Sequence, residues 1–288
     1  MEFLRRLQSA YLCPLSIKNL YMESAFLTYK NSRIHYRKSG NGARLAICFH
    51  GFGTFANTFD WIATHVEEYT FIAFDLPFHG LTEWNKQYIT VDELIEIIDI
   101  CPEVNHRDFA LVGYSMGGRI SLSILQNIPQ RITRLLLLAP DGLHVNRWYW
   151  FATQTKIGNK VFYQVMHKPG KFVRMARKAG EYHLVNTGIL KFIDRYMDDE
   201  GVRTQVYKVW TAFSGFLPKL NQIEKEIRKR STPVTLIYGR FDNIIPFSGG
   251  EQFARRLGEY CRFTVLDCGH QVLHIRNAQY IADSFLTS

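Results

Sequence analysis

No apolar run in the 288-residue chain approaches the roughly 18 residues that a membrane-spanning helix needs; Leu135–Ala139 is typical of its longest stretches. A secretory leader is not expected either. Arg5 and Arg6 are followed by the mixed residues Gln8, Ser9, Tyr11, Cys13 and Pro14 rather than a continuous apolar segment. Cysteine is scarce, and its five copies (Cys13, Cys48, Cys101, Cys261, Cys268) are scattered and odd in number. That pattern suits reduced thiols of a cytoplasmic protein better than a disulfide framework, with Cys48 buried inside an apolar run. Repeats and low-complexity tracts are absent as well. With 47% hydrophobic and 21% charged residues the chain is too apolar to be disordered. Its length allows one large α/β domain or two smaller ones.

The net charge of +9 is confined to one region. Residues 141–230 hold 17 of the 35 Lys and Arg but only 8 of the 26 Asp and Glu, so the rest of the chain is neutral. A stretch that carries the whole imbalance reads as a distinct structural unit. No nucleic-acid-binding motif accompanies this charge, so no nucleic-acid partner is expected.

Residues 2–12 have helical spacing, and Ala25–Lys30 and Arg33–Lys38 read as a hairpin turning at Asn31-Ser32. Buried-strand runs then alternate with helical patterns: strand Arg44–Phe49, helix Phe55–Val66, strand Tyr69–Phe74, and helix Val91–Ile100 with a Thr90/Glu93 capping box. Strand Phe109–Tyr114, helix Met116–Asn127 and strand Ile132–Ala139 follow. The alternation resumes with strand Val234–Tyr238, a helix around Gly250–Leu257, strand Arg262–Leu266 and a last helix from about Gln271 to Phe285. This order predicts a mostly parallel sheet with helices on both faces. Residues 141–220 interrupt it. They are helical, aromatic and basic, and read as a helical cap inserted into a core of residues 1–140 and 221–288.

Gly113-Tyr-Ser-Met-Gly117 ends an apolar strand and opens a helix. A sharp strand-to-helix turn of this kind lifts Ser115 Oγ clear of the sheet, and the two glycines remove bulk at its flanks. A serine needs a base, and the base needs an orienting acid. His270 follows the strand Arg262–Leu266 in the turn Asp267-Cys-Gly-His270, on the side where ligands bind in open α/β sheets. Asp242 stands after the strand Val234–Tyr238; Asp141 and Asp267 compete for the role of acid. Phe49-His-Gly-Phe-Gly53 forms a tight turn, and the Phe52 and Met116 N–H groups are the natural donors to a developing oxyanion. His50 and His79 read as turn-stabilising. A His270/His274 metal pair is disfavoured because Gln271 replaces the Glu of a zinc-protease helix. No metal or cofactor is called for.

Together, His50-Gly-Phe-Gly53, Asp75-Leu-Pro-Phe-His-Gly80, Gly113-Tyr-Ser-Met-Gly-Gly118, Gly239-Arg-Phe-Asp242 and Gly269-His270 resemble the ordered landmarks of the α/β-hydrolase superfamily. The resemblance spans about Ile34 to the C-terminus apart from the cap. It implies an eight-stranded, mostly parallel sheet flanked by helices, with the helical cap after strand 6. It also implies a triad in the chain order Ser115, Asp242, His270. One departure is Phe78, where the family usually has Gly, which bears on the shape of that loop. A serine at the nucleophile position disfavours the dehalogenase and epoxide-hydrolase branches.

The expected function is cofactor-independent serine hydrolysis of a carboxylic ester or related acyl bond. The alternative is a lyase on the same triad, because Arg119 in Ser-Met-Gly-Gly-Arg is similar to the pyruvate-eliminating synthase of menaquinone biosynthesis. A non-catalytic binding protein on this scaffold is a third reading, which the complete triad disfavours. Candidate substrate-binding positions are His50, Gly51, Tyr114, Arg119, Trp148 and Trp210. Cap aromatics (Trp148, Tyr149, Trp150, Phe151, Phe162, Phe172, Trp210, Phe213, Phe216) are expected to line an apolar pocket. The outward Lys and Arg would then attract a small anionic substrate or, weakly, an anionic membrane surface.

Overall fold

The computed structural model describes residues 22–144, 147–181, 190, 193 and 196–286. The helix expected over 2–12, and Cys13, lie outside these. The eight strands are β1 (Met22–Tyr29), β2 (Ser32–Ser39), β3 (Arg44–Phe49), β4 (Tyr69–Phe74), β5 (Phe109–Tyr114), β6 (Ile132–Leu138), β7 (Val234–Gly239) and β8 (Cys261–Leu266). They form one sheet in the order β1-β2-β4-β3-β5-β6-β7-β8. β1–β2 and β2–β4 are antiparallel, and all other neighbours are parallel.

The central strands β4, β5 and β7 are buried at every residue, as expected of strands covered by helices on both faces. The covering helices are α1 (Val91–Asp99), α2 (Met116–Asn127), α7 (Leu220–Arg230), α8 (Ser248–Leu257) and α9 (Ala278–Leu286). The capping box forms as expected: Glu93 N–H donates to Thr90 Oγ1 at 3.1 Å, and Thr90 N–H donates to Glu93 Oε2 at 3.2 Å. No described helix is long and apolar enough to cross a membrane.

Three local expectations are corrected. The first hairpin turns at Lys30-Asn31, one residue early, because Ser32 already pairs with Tyr29. The segment expected as an α-helix over 55–66 is a 3₁₀ helix, Ala56–Thr64; the Thr58 and Thr64 hydroxyls donate to the carbonyls of Phe55 and Trp61, three residues back. The last α-helix starts at Ala278 rather than near Gln271. Asn277 Nδ2 donates to the Val272 carbonyl at 2.9 Å, and Arg276 N–H to His274 Nδ1 at 3.2 Å, so residues 271–277 are held as a turn and a short 3₁₀ segment.

Between β6 and β7, residues outside the sheet form α3 (Arg147–Gln154), α4 (Lys156–His167), α5 (Pro169–Glu181) and α6 (Glu200–Ala212). Ala152, Phe162, Val165, Met166, Ala176, Ile193, Met197 and Val206 make a buried cluster separate from the main core, and Phe52 packs against both. Phe213 and Phe216 belong to the main core instead, and Trp150 is 48% exposed. These three do not act as the inward pocket lining expected of them.

The β5–α2 junction sets the position of the central helix. A Cβ on Gly117 would stand 1.9 Å from the Phe49 carbonyl oxygen, so β3 and α2 approach at a distance only glycine permits. Gly117→Ala is therefore expected to cost about 1–3 kcal/mol through overpacking. The check is a lower urea midpoint with an unchanged m value.

Candidate active site

Ser115 occupies the turn between β5 and α2 with φ 53° and ψ −117°, a conformation a non-glycine residue adopts only when its surroundings impose it. Ser115 N–H donates to the Leu138 carbonyl at 2.9 Å, and its own carbonyl accepts from Gly118 and Asp141 N–H, both at 2.9 Å. These bonds lock the turn to β6 and to the loop that follows it.

His270 Nε2 stands 2.9 Å from Ser115 Oγ, and His270 Nδ1 stands 2.7 Å from Asp242 Oδ2. The other Asp242 oxygen accepts from the Ile244 and Ile245 N–H groups at 2.8 and 3.0 Å. Burial alone would raise the Asp242 pKa. The His270 hydrogen bond and charge, with the two amides, overcome that and hold it below the ordinary carboxylate value. An ionised carboxylate only accepts, so Nδ1 carries the proton and the Nε2 lone pair faces the Ser115 hydroxyl. The arrangement can receive the Ser115 proton and stabilise the resulting imidazolium.

The two competitor acids are engaged elsewhere. Asp267 is exposed and pairs with Arg240 at 2.7 Å. Asp141 pairs with Arg119 and accepts from Gly142 N–H at 2.7 Å. His274 lies in the turn after His270, with its own ring bound to backbone.

The two residues expected to supply oxyanion donors, Phe52 and Met116, follow Gly51 and Ser115 directly in the chain. Met116 is the first residue of α2, where an N–H has no intrahelical partner. A Cβ on Gly51 would lie 3.0 Å from Ser115 Cβ, which shows how closely the β3 loop passes. His50 organises that loop: Leu76 N–H donates to its Nε2 at 3.0 Å, so Nδ1–H donates to the Gly51 carbonyl at 2.8 Å. Burial holds its pKa low, and the ring stays neutral. His79 is similar. Its Nδ1 donates to the Pro77 carbonyl, and burial with the neighbouring His50 pushes its pKa down to about 3. Phe78 keeps the left-handed turn expected of a glycine, at φ 66°, and its carbonyl accepts from Gln205 Nε2 of α6 at 3.0 Å.

Several expected substrate contacts face protein instead. His50 has no exposed surface and both ring nitrogens bound to backbone. Tyr114 is buried; its ring lies 5.5 Å from that of His270 and its hydroxyl donates to the His270 carbonyl at 3.3 Å, so it braces the histidine. Arg119 is buried, paired with Asp141 and set 4.0 Å over the Tyr149 ring. Trp210 is half-buried, stacked 5.3 Å from Phe162 and edge-on to Tyr149 at 5.1 Å. The Trp148 side chain lies outside the described residues. Sequence reasoning missed the Tyr114 brace and the Ile244/Ile245 amides; the first has no local signal, whereas the turn after Asp242 could have suggested the second.

The strand order, the strained serine turn and the Ser–His–Asp array define an α/β-hydrolase. The chain belongs to the serine aminopeptidase, S33 family (Hydrolase_4), whose model matches residues 42–274. It is 27% identical over 259 residues to the uncharacterized hydrolase YugF of Bacillus subtilis (strain 168), covering 86% of this chain and 92% of that one. It is 22% identical over 244 residues to the pimeloyl-[acyl-carrier protein] methyl ester esterase of Nitrosomonas europaea, covering 82% and 92%. A thermophilic esterase from Thermogutta terrifontis shares the fold with a TM-score of 0.63 at 17% identity, over 92% of this chain and 98% of that one. The protein is a hydrolase.

A depressed Asp242 pKa makes stability depend on pH. The increment is fully present above the unfolded carboxylate value of 3.8 and is lost as pH falls through the lower folded value. Denaturant titrations of wild type and Asp242→Asn between about pH 5 and pH 2 are expected to show a steeper acid-side loss in wild type.

Proposed function

We propose that the protein is a cofactor-independent serine hydrolase that cleaves a carboxylic ester or related acyl bond through an acyl-enzyme. The observation that carries this reading is the reach of 2.9 Å from Ser115 Oγ to His270 Nε2, with Asp242 at 2.7 Å behind it. Ser115 Oγ attacks the acyl carbon while its proton passes to His270 Nε2. Asp242 holds the imidazolium, and the Phe52 and Met116 N–H groups receive the oxyanion. His270 returns the proton to the leaving alkoxide; water then attacks the acyl-serine with His270 again as base, the acyl–Oγ bond breaks, and His270 gives the proton to Ser115 Oγ as the carboxylic acid departs.

The lyase alternative needs a cation free to hold a substrate carboxylate. Arg119 pairs with Asp141 and lies over the Tyr149 ring, which leaves only Nη1 of its buried nitrogens without a partner among the described residues and favours hydrolysis. The buried, unpaired thiols Cys48, Cys101 and Cys268 support a cytoplasmic setting.

In this reading residues 141–220 cap the Ser115 site. Support comes from Phe52, which packs on the helical cluster, and from the Gln205 bond to the Phe78 carbonyl. Along α5, Phe172, Val173 and Ala176 pack inward, whereas Lys171, Arg174, Arg177 and Lys178 are exposed. A substrate with an apolar acyl or ring portion and a negative charge suits both faces.

Ser115→Ala should remove nearly all turnover of p-nitrophenyl esters with the fold intact, leaving only the residual rate supplied by binding and oxyanion donors. More than about a tenth of wild-type kcat in the purified variant would exclude Ser115 as nucleophile. Asp242→Asn should cost about four orders of magnitude by leaving the imidazole in the wrong tautomer, and Asp267→Asn should cost little.

For the basic face, kcat/KM toward anionic esters is expected to drop as salt rises to physiological strength, where screening acts beyond about 8 Å. Neutral esters should show no such trend. Replacing Lys171, Arg174, Arg177 and Lys178 by Gln should flatten the anionic series; identical salt curves for both substrate classes in both proteins would reduce this face to a solubilising one.

A further inference from the structure

The three side-chain types of the Ser115 site meet a second time at the opposite edge of the sheet. Ser24 lies on β1, His35 on β2, and Asp75 directly after β4. In the β1–β2 ladder Phe26 is opposite His35 and Arg37 is opposite Ser24, which makes Ser24 and His35 diagonal neighbours on one face. Antiparallel pairing of β2 with β4, Tyr36 opposite Phe74, then sets His35 beside Asp75.

The resulting geometry parallels the first site. Ser24 Oγ is 2.8 Å from His35 Nε2, and His35 Nδ1 is 2.7 Å from Asp75 Oδ2. As with Asp242, backbone amides hold the carboxylate: Ala56 N–H donates to Oδ1 at 2.7 Å and Leu81 N–H to Oδ2 at 2.9 Å. His35 and Asp75 are each only 3% exposed, whereas Ser24 faces solvent. The carboxylate accepts from Nδ1–H, which leaves the Nε2 lone pair toward the Ser24 hydroxyl. Beside them Phe26 is 39% exposed, its ring 5.1 Å from that of His35 and stacked with Arg33 at 3.6 Å.

We propose that Ser24 is a second nucleophile, activated by His35 and Asp75, that accepts acyl or phosphonyl groups from small activated aryl esters and phosphonylating agents in solution. With p-nitrophenyl acetate, a bond forms between Ser24 Oγ and the carbonyl carbon, and the hydroxyl proton passes to His35 Nε2. The ester C–O bond breaks, p-nitrophenolate departs, and His35 releases its proton to solvent. With a fluorophosphonate the new bond is O–P, and fluoride leaves. Ser24 sits within a strand rather than at a helix start, so among the described residues no helix N-terminal amide corresponds to that of Met116. Loss of such donors lowers rates by about 10²–10³, so the adduct forms slowly and, being hydrolysed slowly too, accumulates.

The test uses the full chain carrying Ser115→Ala, treated with a fluorophosphonate and analysed by intact mass and peptide mapping. One adduct on Ser24 is expected, forming about 10²–10³ times more slowly than the adduct on Ser115 of wild type. Adding Ser24→Ala should abolish it. Ser24→Ala alone should leave Ser115 labelling and ester turnover at wild-type levels. His35→Gln with Ser115→Ala should slow Ser24 labelling at least tenfold although the serine stays exposed, and His35→Gln alone should retain ester turnover, reporting a folded protein. Should His35→Gln fail to fold, the preference for Ser24 over the other exposed serines of the Ser115→Ala protein decides alone. No adduct on Ser24, adducts spread evenly over serines, or a rate unmoved by His35→Gln in folded protein overturns the proposal. Because adducts are mapped by residue, failure at Ser24 is read separately from failure at Ser115.

Discussion

The forced turn at Ser115 is the constraint on which the rest of the molecule depends. Holding a serine at φ 53° and ψ −117° costs on the order of 1–3 kcal/mol, and it persists because β5, β6 and α2 over-determine it. The Ser115 amide and carbonyl are bonded to Leu138, Gly118 and Asp141. Above the turn, α2 is clamped against β3 through Gly117, with residues 116–125 all buried. This one turn aims Ser115 Oγ at His270, points the start of α2 at the same spot, and leaves room for the β3 loop only because Gly51 lacks a side chain.

Around that turn the histidines divide by what their ring nitrogens hold. His50 and His79 are buried among backbone groups, and their lowered pKa values keep them neutral braces for the loops after β3 and β4. His270 keeps one nitrogen on a carboxylate and the other on a serine, with 14% of its side chain exposed. His35 does the same at the far edge of the sheet with 4% exposed. Bonding partners, rather than burial, therefore distinguish these two pairs of imidazoles, since His35 is buried as deeply as His50 and His79.

The helical segment between β6 and β7 is anchored to this frame by Val209, Ala212, Phe213 and Phe216, which belong to the main core, and by individual contacts above it. Phe52 joins the two buried clusters, Gln205 reaches the Phe78 carbonyl, and Tyr149 takes the Arg119 cation on its ring. Phe78 holds a left-handed conformation that a glycine would take more easily. In return, its ring packs on the core and lies 5.9 Å from Lys208 Nζ of α6.

The sequence by itself determined the parallel sheet, the boundaries of β3, β4, β5 and α2, the Thr90 capping box and the Ser115, Asp242 and His270 positions. Those features are local or ordered along the chain: unbroken apolar runs, glycine spacing, and polar residues at strand ends. Tertiary structure decided what local pattern cannot encode. The periodicity of residues 55–66 suits α and 3₁₀ geometry alike until the Thr58 and Thr64 hydroxyls choose. Arg119 looks like a ligand for anions until Asp141 and Tyr149, from a different loop and helix, close over it. Tyr114 acquires its role only when His270, 156 residues away, arrives beside it. Ser24 and His35 lie in no motif, and the landmark loop that holds Asp75 says nothing of its partners; antiparallel register across β1, β2 and β4 brings the three within hydrogen-bond reach, because a pairing between strands is set by the sheet as a whole.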